Sequence, residues 1–238
     1  MSEVPAARVT LDPNLLMPIY RALFEAIGPR HWWPGDGTLE IIVGAILTQN
    51  TSWKNVEKAI GNLKEKNCIS LKALDEIPQE ELAQLIRPSG YFNQKAKKIK
   101  IFVRYICNRY ACSLKKMRQQ PLEQLREELL GIHGIGPETA DSILLYAFEK
   151  PTFVVDAYTR RILLRHGWMT DKATYEDIRA FFMRHLPEDV ALFNEFHALF
   201  VYVGNQFCRK EPKCQECPLQ PFLPEAVQSE KEPAKKRV

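Results

Sequence analysis

Apolar residues recur at helical spacing along nearly the whole chain. Leu15, Leu16, Ile19, Leu23 and Phe24 share one side of a segment over 13–26, and the turn-forming run His31-Trp32-Trp33-Pro34-Gly35-Asp36-Gly37 breaks it. Thr38 is placed to cap a strongly apolar helix through Leu39, Ile42, Val43, Ile46 and Leu47. After the polar Thr48-Gln49-Asn50-Thr51, the spacing predicts helices over 53–64, 79–86 and 93–110, then over 121–130, 138–149, 157–165, 175–185 and 189–207. The one run with strand character, Thr152-Phe153-Val154-Val155, is four residues between helices and reads as a buried linker. No internal repeat is visible. The fold class is therefore all-α.

Composition narrows the picture. A chain of 238 residues with 45% hydrophobic and 26% charged content, and only 11 glycines, is neither disordered nor collagen-like, and it argues against a β-sandwich. The opening MSEVPAARVTLDPNLL lacks a signal-peptide core, and nowhere do about 18 apolar residues run uninterrupted. Six cysteines without a leader then imply a reducing, intracellular (cytoplasmic) setting and no membrane partner. Net charge is only +4, but its distribution is uneven. From Arg87 to Gln120 there are ten basic residues (Arg87, Lys95, Lys97, Lys98, Lys100, Arg104, Arg109, Lys115, Lys116 and Arg118) and no Asp or Glu. Such a block suits a phosphate backbone as partner; it also suits a merely solvated helix face.

The most informative stretch is Leu129-Leu130-Gly131-Ile132-His133-Gly134-Ile135-Gly136-Pro137-Glu138-Thr139-Ala140-Asp141. A helix ends, two glycines flank one isoleucine, and a proline opens the next helix, where its missing N–H costs nothing. Gly134 and Gly136 suit positive φ and leave their N–H groups bare, so that His133–Gly136 forms a loop a phosphate can approach closely. The pattern reads as a helix-hairpin-helix, against the plainer reading of a tight connection between packed helices.

With Val154-Val155-Asp156 following about twenty residues later, the chain resembles the helix-hairpin-helix, Gly-Pro-Asp DNA glycosylase superfamily in its endonuclease III branch. Leu47–Thr51 and Gly90-Tyr91-Phe92-Asn93-Gln94-Lys95-Ala96-Lys97 are further matches, and the resemblance runs from about Trp32 to Cys217. Trp32-Trp33-Pro34, Leu47–Thr51 and Arg87–Lys97 are most similar to the 3-methyladenine DNA glycosylases of that branch. The resemblance implies a helical barrel over 38–150 that ends in the hairpin, and a second helical domain from 1–37 plus 151–223. It implies a DNA-binding cleft between them and a monomer acting on duplex DNA that contains a damaged base. Residues 224–238, polar and carrying Lys235-Lys236-Arg237, read as a disordered tail.

The resemblance makes Asp156 the catalytic carboxylate, able to stabilise positive charge on the sugar and to activate water; alone, it reads as a helix N-cap. It makes Gln49 the residue that fills the space vacated in the duplex by a flipped base, with Asn50 beside it in the base pocket. Trp33 and Trp53 become the aromatic pair that sandwiches the base, where a cationic alkylated purine gains cation–π attraction; otherwise they are core tryptophans. Bifunctional relatives carry a lysine where this chain has Glu138, and a carboxylate cannot form a Schiff base. The implied activity is a monofunctional base-excision N-glycosylase for 3-methyladenine or another alkylated purine. Its rivals are a glycosylase/lyase for oxidised pyrimidines, a mismatch thymine glycosylase, and a non-catalytic DNA-binding protein, the last disfavoured by Asp156 with Gln49.

Relatives in this branch often end in four cysteines that hold a [4Fe-4S] cluster. Here five residues separate Cys208 from Cys214, one fewer than in the family, two separate Cys214 from Cys217, and Leu223 stands at the fourth place. A cluster with a non-cysteine ligand, a zinc ion on three cysteines and a histidine, and a metal-free segment all remain open. Cys68, Cys107 and Cys112 read as helix residues.

Overall fold

The computed structural model describes residues 8–224, so the tail reading falls, beyond Pro224, outside the described residues. The structure is all-α. Among the described residues twelve α-helices run in order as α1 (Leu16–Ile27), α2 (Thr38–Leu47), α3 (Trp53–Glu65), α4 (Leu71–Glu76), α5 (Gln79–Leu85), α6 (Phe92–Tyr110), α7 (Leu114–Arg118), α8 (Leu122–Leu130), α9 (Pro137–Ser142), α10 (Ala157–Arg165), α11 (Tyr175–His185) and α12 (Val190–Gln206). Among the described residues there is no strand, only an isolated bridge between Val9 and Met169. No helix among them is long and apolar enough to cross a membrane.

Two short helices, α4 and α7, have no counterpart in the periodicity, because too few turns exist to show a stripe. Their starts are nonetheless capped: Ser70 accepts from the Ala73 amide and Ser113 from the Lys116 amide. The helix expected over 138–149 is not uniform. It is α-helical only to Ser142 and continues as a π-helical turn over Ile143–Ala147. The N-cap of α2 is Gly37, with Thr38 already inside the helix, and Phe24 on α1 is partly exposed rather than buried.

Contacts divide the chain into two compact units. One is Trp33–Thr152; the other joins the residues up to Trp32 to those from Phe153 onward. In the first, α2 is apolar on nearly every side and buried from Ile42 to Leu47, as a central helix must be. The same core cluster includes Val56 and Leu63 of α3, Leu82 of α5, Phe102 and Ile106 of α6, Leu125 and Leu129 of α8, and Leu144 of the π turn. In the second unit the core is aromatic: Phe153 stacks on Phe182 at 4.0 Å between ring centres and meets Phe193 and Phe196 edge-on.

Buried charge fixes the hairpin. Arg126 of α8 grips Asp141 of α9 through two parallel bonds, Nε to Oδ1 at 2.9 Å and Nη2 to Oδ2 at 3.1 Å. Thr152 donates to Oδ1 of the same carboxylate at 2.9 Å. Asp141 is fully buried and Arg126 nearly so, so each charge depends on the other. Replacing Asp141 with Ala removes the bidentate partner of a buried guanidinium, and chemical denaturation is expected to show a loss of about 3–5 kcal/mol; a loss under about 1 kcal/mol, the range of exposed pairs, would show that the pair does not hold the two helices.

Candidate active site

In the unit Trp33–Thr152, the turn after α2 carries Gln49 and Asn50. Thr48 folds back to bond the Gly44 carbonyl at 2.6 Å, and Asn50 takes a left-handed conformation at φ 53°, one of the few residue types that do so cheaply. Asn50 is exposed at the apex. Gln49 turns inward: its Nε2 donates to the Gly134 carbonyl at 3.2 Å and to Thr139 Oγ1 at 2.9 Å, and its Oε1 accepts from Lys98. The structure thus joins Gln49 directly to the glycine hairpin.

Within the hairpin His133 and Gly136 are exposed, Gly134 is half-buried and Ile135 is buried, anchoring the loop to the core. Gly134 has φ +90°, which favours glycine, and a Cβ there would lie 2.6 Å from Lys98 Cγ, so any side chain at this position would also displace the lysine stem. Gly136 departs from expectation. Its φ of −93° is ordinary extended backbone; it serves as the N-cap of α9, and its side is open space. Glu138 is exposed in the first turn of α9, a favourable place for a carboxylate.

The basic block behaves differently from a solvated face. Lys95 is buried, and its ammonium donates to the Leu47 carbonyl at 2.9 Å and the Ser89 carbonyl at 2.6 Å. Burial, with Lys98 nearby, lowers its pKa to about 8. Lys100 is likewise buried on the Asp75 and Ile77 carbonyls. These two lysines tie helix ends together, where carbonyls lack helical partners. Lys97, Lys115 and Lys116 remain exposed.

Trp33 and Trp53 are neighbours, with ring centres 4.9 Å apart at 85°. They touch edge to face, so a base enters between them only if the rings part. Tyr146, from the π turn, faces Trp33 at 4.9 Å and 31°, a third ring that the sequence reading passed over. Both indoles rest against Gly44 of α2. Beside Trp53, whose Nε1 donates to Glu57 at 2.8 Å, lies a cavity of about 400 Å³ with Asp36, Glu40, Glu57 and Lys64 on its walls. Lys64 pairs with Asp36 at 2.7 Å and Glu40 at 2.9 Å, leaving the walls net negative.

In the other unit, Asp156 caps α10: its Oδ1 accepts from the Thr159 amide at 2.7 Å. The second oxygen, Oδ2, faces His197 Nε2 of α12 at 3.9 Å, beyond hydrogen-bond length. Both residues are buried. Burial lowers the His197 pKa and the Asp156 charge opposes that, with burial the larger effect, so the imidazole is held neutral. His197 was legible only as a lone histidine on an apolar helix.

The cysteines Cys208, Cys214 and Cys217 surround a cavity of about 240 Å³ that Leu223 and His166 also line. Arg165 at the end of α10 ties this segment down through the Lys210 carbonyl at 3.3 Å and Cys208 Sγ at 3.5 Å. Among the described residues no three His, Cys, Asp or Glu side chains converge as a single metal ion requires. Three thiols and the His166 ring thus border one space. The other cysteines are not all helical. Cys68 lies past the end of α3, and Cys112 lies past the end of α6, where it forms a disulfide with Cys107 of that helix.

A helix-hairpin-helix in one compact all-helical unit, and a buried carboxylate capping a helix in the other, define the architecture of a base-excision DNA glycosylase. Residues 43–188 match the HhH-GPD superfamily of base excision DNA repair proteins, and the chain belongs to that family. It is 43% identical over 211 residues, 88% of this chain and 96% of the relative, to MJ1434 of Methanocaldococcus jannaschii, which carries a provisional name as a DNA repair glycosylase. It is 31% identical over 178 residues to endonuclease III of Thermotoga maritima, 74% of this chain and 78% of that one. Among solved structures, the 3-methyladenine DNA glycosylase MagIII of H. pylori bound to 1,N6-ethenoadenine superimposes with a TM-score of 0.72 at 31% identity, covering 82% of this chain and 98% of that one. The chain is a DNA glycosylase, an enzyme that hydrolyses N-glycosyl bonds.

Two predictions separate the structural duties of Asp156 and His197 from chemistry. Asn caps helices as well as Asp does, so Asp156→Asn is expected to leave thermal stability nearly unchanged while Asp156→Ala costs about 1 kcal/mol; equal losses in both would deny the cap. For His197 the sign follows from its neutral folded state. The unfolded imidazole takes up a proton near pH 6.5 and the folded one only lower, so its contribution is intact above about pH 6.5 and is lost as pH falls below it. His166, pushed down by burial to about 4, adds a slope of the same sign. Denaturation midpoints across pH 4.5–7.5 (roughly the span of imidazole titration) are expected to fall less steeply in His197→Leu than in the wild type; parallel curves would refute this.

Proposed function

We propose that the enzyme is a monofunctional glycosylase that releases alkylated purines, 3-methyladenine among them, from duplex DNA with water as nucleophile. The observation that carries this reading is Asp156, buried with one oxygen spent on a helix cap and the other beside a neutral imidazole. Such a carboxylate stabilises the positive charge that develops on the sugar as the glycosidic bond lengthens. It then takes the proton from the water whose oxygen bonds to C1′. A base methylated at N3 is already cationic and departs as a neutral molecule, so no general acid is needed to protonate it.

The aromatic trio Trp33, Trp53 and Tyr146 supplies faces on which a flipped base stacks. The carboxylates beside Trp53 favour a cation. Gln49 occupies the gap that the flipped nucleotide leaves, and the backbone N–H groups of His133–Gly136 hold the phosphates of the flanking strand. Glu138 supports the absence of lyase chemistry, since it offers no amine. Cys208, Cys214 and Cys217 would hold a [4Fe-4S] cluster through three thiolates, with Leu223 giving no fourth ligand. The cluster, when bound, fastens the C-terminal segment and takes no part in bond cleavage.

The test is methylated duplex DNA incubated with wild type and with Asp156→Asn. Mass spectrometry is expected to find free 3-methyladenine from the wild type and a rate lower by about 10² or more in the variant. Strands should stay intact until alkali is added, and borohydride should trap no adduct. A trapped adduct would establish lyase chemistry, and release confined to an oxidised pyrimidine or a mismatched thymine would overturn the substrate class.

A further inference from the structure

We infer that Lys98 is a positioning residue for Gln49, locking its carboxamide to the hairpin before DNA arrives. The inference rests on the reading of Gln49 as the residue that enters the duplex. A carboxamide has one accepting and one donating end, and its three partners leave a single orientation. Lys98 only donates, so it meets Oε1. The Gly134 carbonyl only accepts, so it meets Nε2 at 3.2 Å, with Thr139 Oγ1 on the same nitrogen at 2.9 Å. Gln49 is otherwise a flexible side chain at the end of a turn, which loses conformational entropy if it must be ordered on binding. Bonds to α6, to the hairpin and to the first turn of α9 remove that freedom in advance.

Lys98 is itself held. Its aliphatic stem crosses the hairpin at Gly134, so close that a Cβ there would lie 2.8 Å from both Cδ and Cε. The glycine therefore does more than permit a turn; it makes the groove in which the lysine lies. Lys98 pairs with no carboxylate among the described residues, and its positive charge is felt at the buried Lys95.

The test uses the full chain with Lys98→Met, Lys98→Arg, Gln49→Ala and the double variant Lys98→Met/Gln49→Ala. Each of Lys98→Met and Gln49→Ala is expected to slow single-turnover excision roughly tenfold, less than the hundredfold a displaced group can cost. The double variant should be no slower than Gln49→Ala, because Lys98 acts through Gln49. Lys98→Arg should recover most of the rate, since a guanidinium donates to the same oxygen. Heteronuclear NMR of free Lys98→Met should move the Gln49 side-chain amide signals to the position of an unrestrained glutamine, a readout that a loss of activity through misfolding would not give in isolation.

Salt dependence supplies the counter-test. If Lys98 were a phosphate ligand instead, the slope of binding against salt would fall by about one and the two losses would multiply in the double variant. Either result overturns the inference and leaves the glycosylase reading intact. A Gln49→Ala variant as fast as wild type overturns the inference together with the reading of Gln49 beneath it.

Discussion

The hairpin exists as a rigid object because a fully buried carboxylate holds it. Asp141 accepts from Arg126 on α8 and from Thr152 at the head of the following linker, and it belongs to α9 itself. One side chain thereby ties together the helix before the hairpin, the helix after it, and the segment that leads four residues later to Asp156. Apolar packing alone would fix such helices less uniquely, because ridges and grooves tolerate sliding, whereas a bidentate guanidinium–carboxylate pair has one register. The cost is two desolvated charges; the geometry is fork on fork, and Thr152 satisfies a further lone pair.

The same logic appears at α6 with the opposite charge. Lys95 and Lys100 enter the interior to meet carbonyls at the ends of other elements, where no helical N–H is available. Lys98, a turn along from Lys95, lies across the hairpin and meets Gln49. Three lysines of one helix thus act as internal ties. A helix built this way has a reason to carry no acid: a carboxylate beside these ammonium groups would compete with the neutral acceptors they serve. The basic block is therefore partly scaffold, and its exposed remainder, with Lys97, Lys115 and Lys116, is what a phosphate backbone can meet.

Much of the architecture was legible in the residues. α10 and α11 begin and end where the spacing puts them, because Asp156 and Thr174 are caps in their own right and the stripes are clean. The Gly-Ile-Gly-Pro wording announced the hairpin. What stayed hidden depends on contacts distant in sequence. Nothing local says that Lys95 and Lys100 turn inward, since a lysine on a helix is ordinarily solvated. Tyr146 reaches Trp33 from a π-helical turn, and a change from 3.6 residues per turn is invisible in a pattern of apolar letters. By its letters Gly136 looks like a second positive-φ glycine, yet of the two only Gly134 has positive φ and is crossed by another side chain. The Cys107–Cys112 disulfide is hidden in the sequence because both cysteines fit a helix, whereas α6 ends between them.

The dual duty proposed for Asp156, cap and catalyst, follows from the same economy. A carboxylate that only capped a helix would sit at the surface, where water completes its hydration. One that only did chemistry would need other donors to hold its rotamer. Here the Thr159 amide fixes one oxygen, and the first turn of α10 supplies a favourable field for the charge. The other oxygen is left facing an imidazole that burial keeps neutral. In the proposed mechanism, a protonated histidine at that place would partly cancel the charge offered to a developing oxocarbenium ion. Its neutrality leaves the charge of the carboxylate uncancelled from that side, as the proposed stabilisation of a cationic sugar requires.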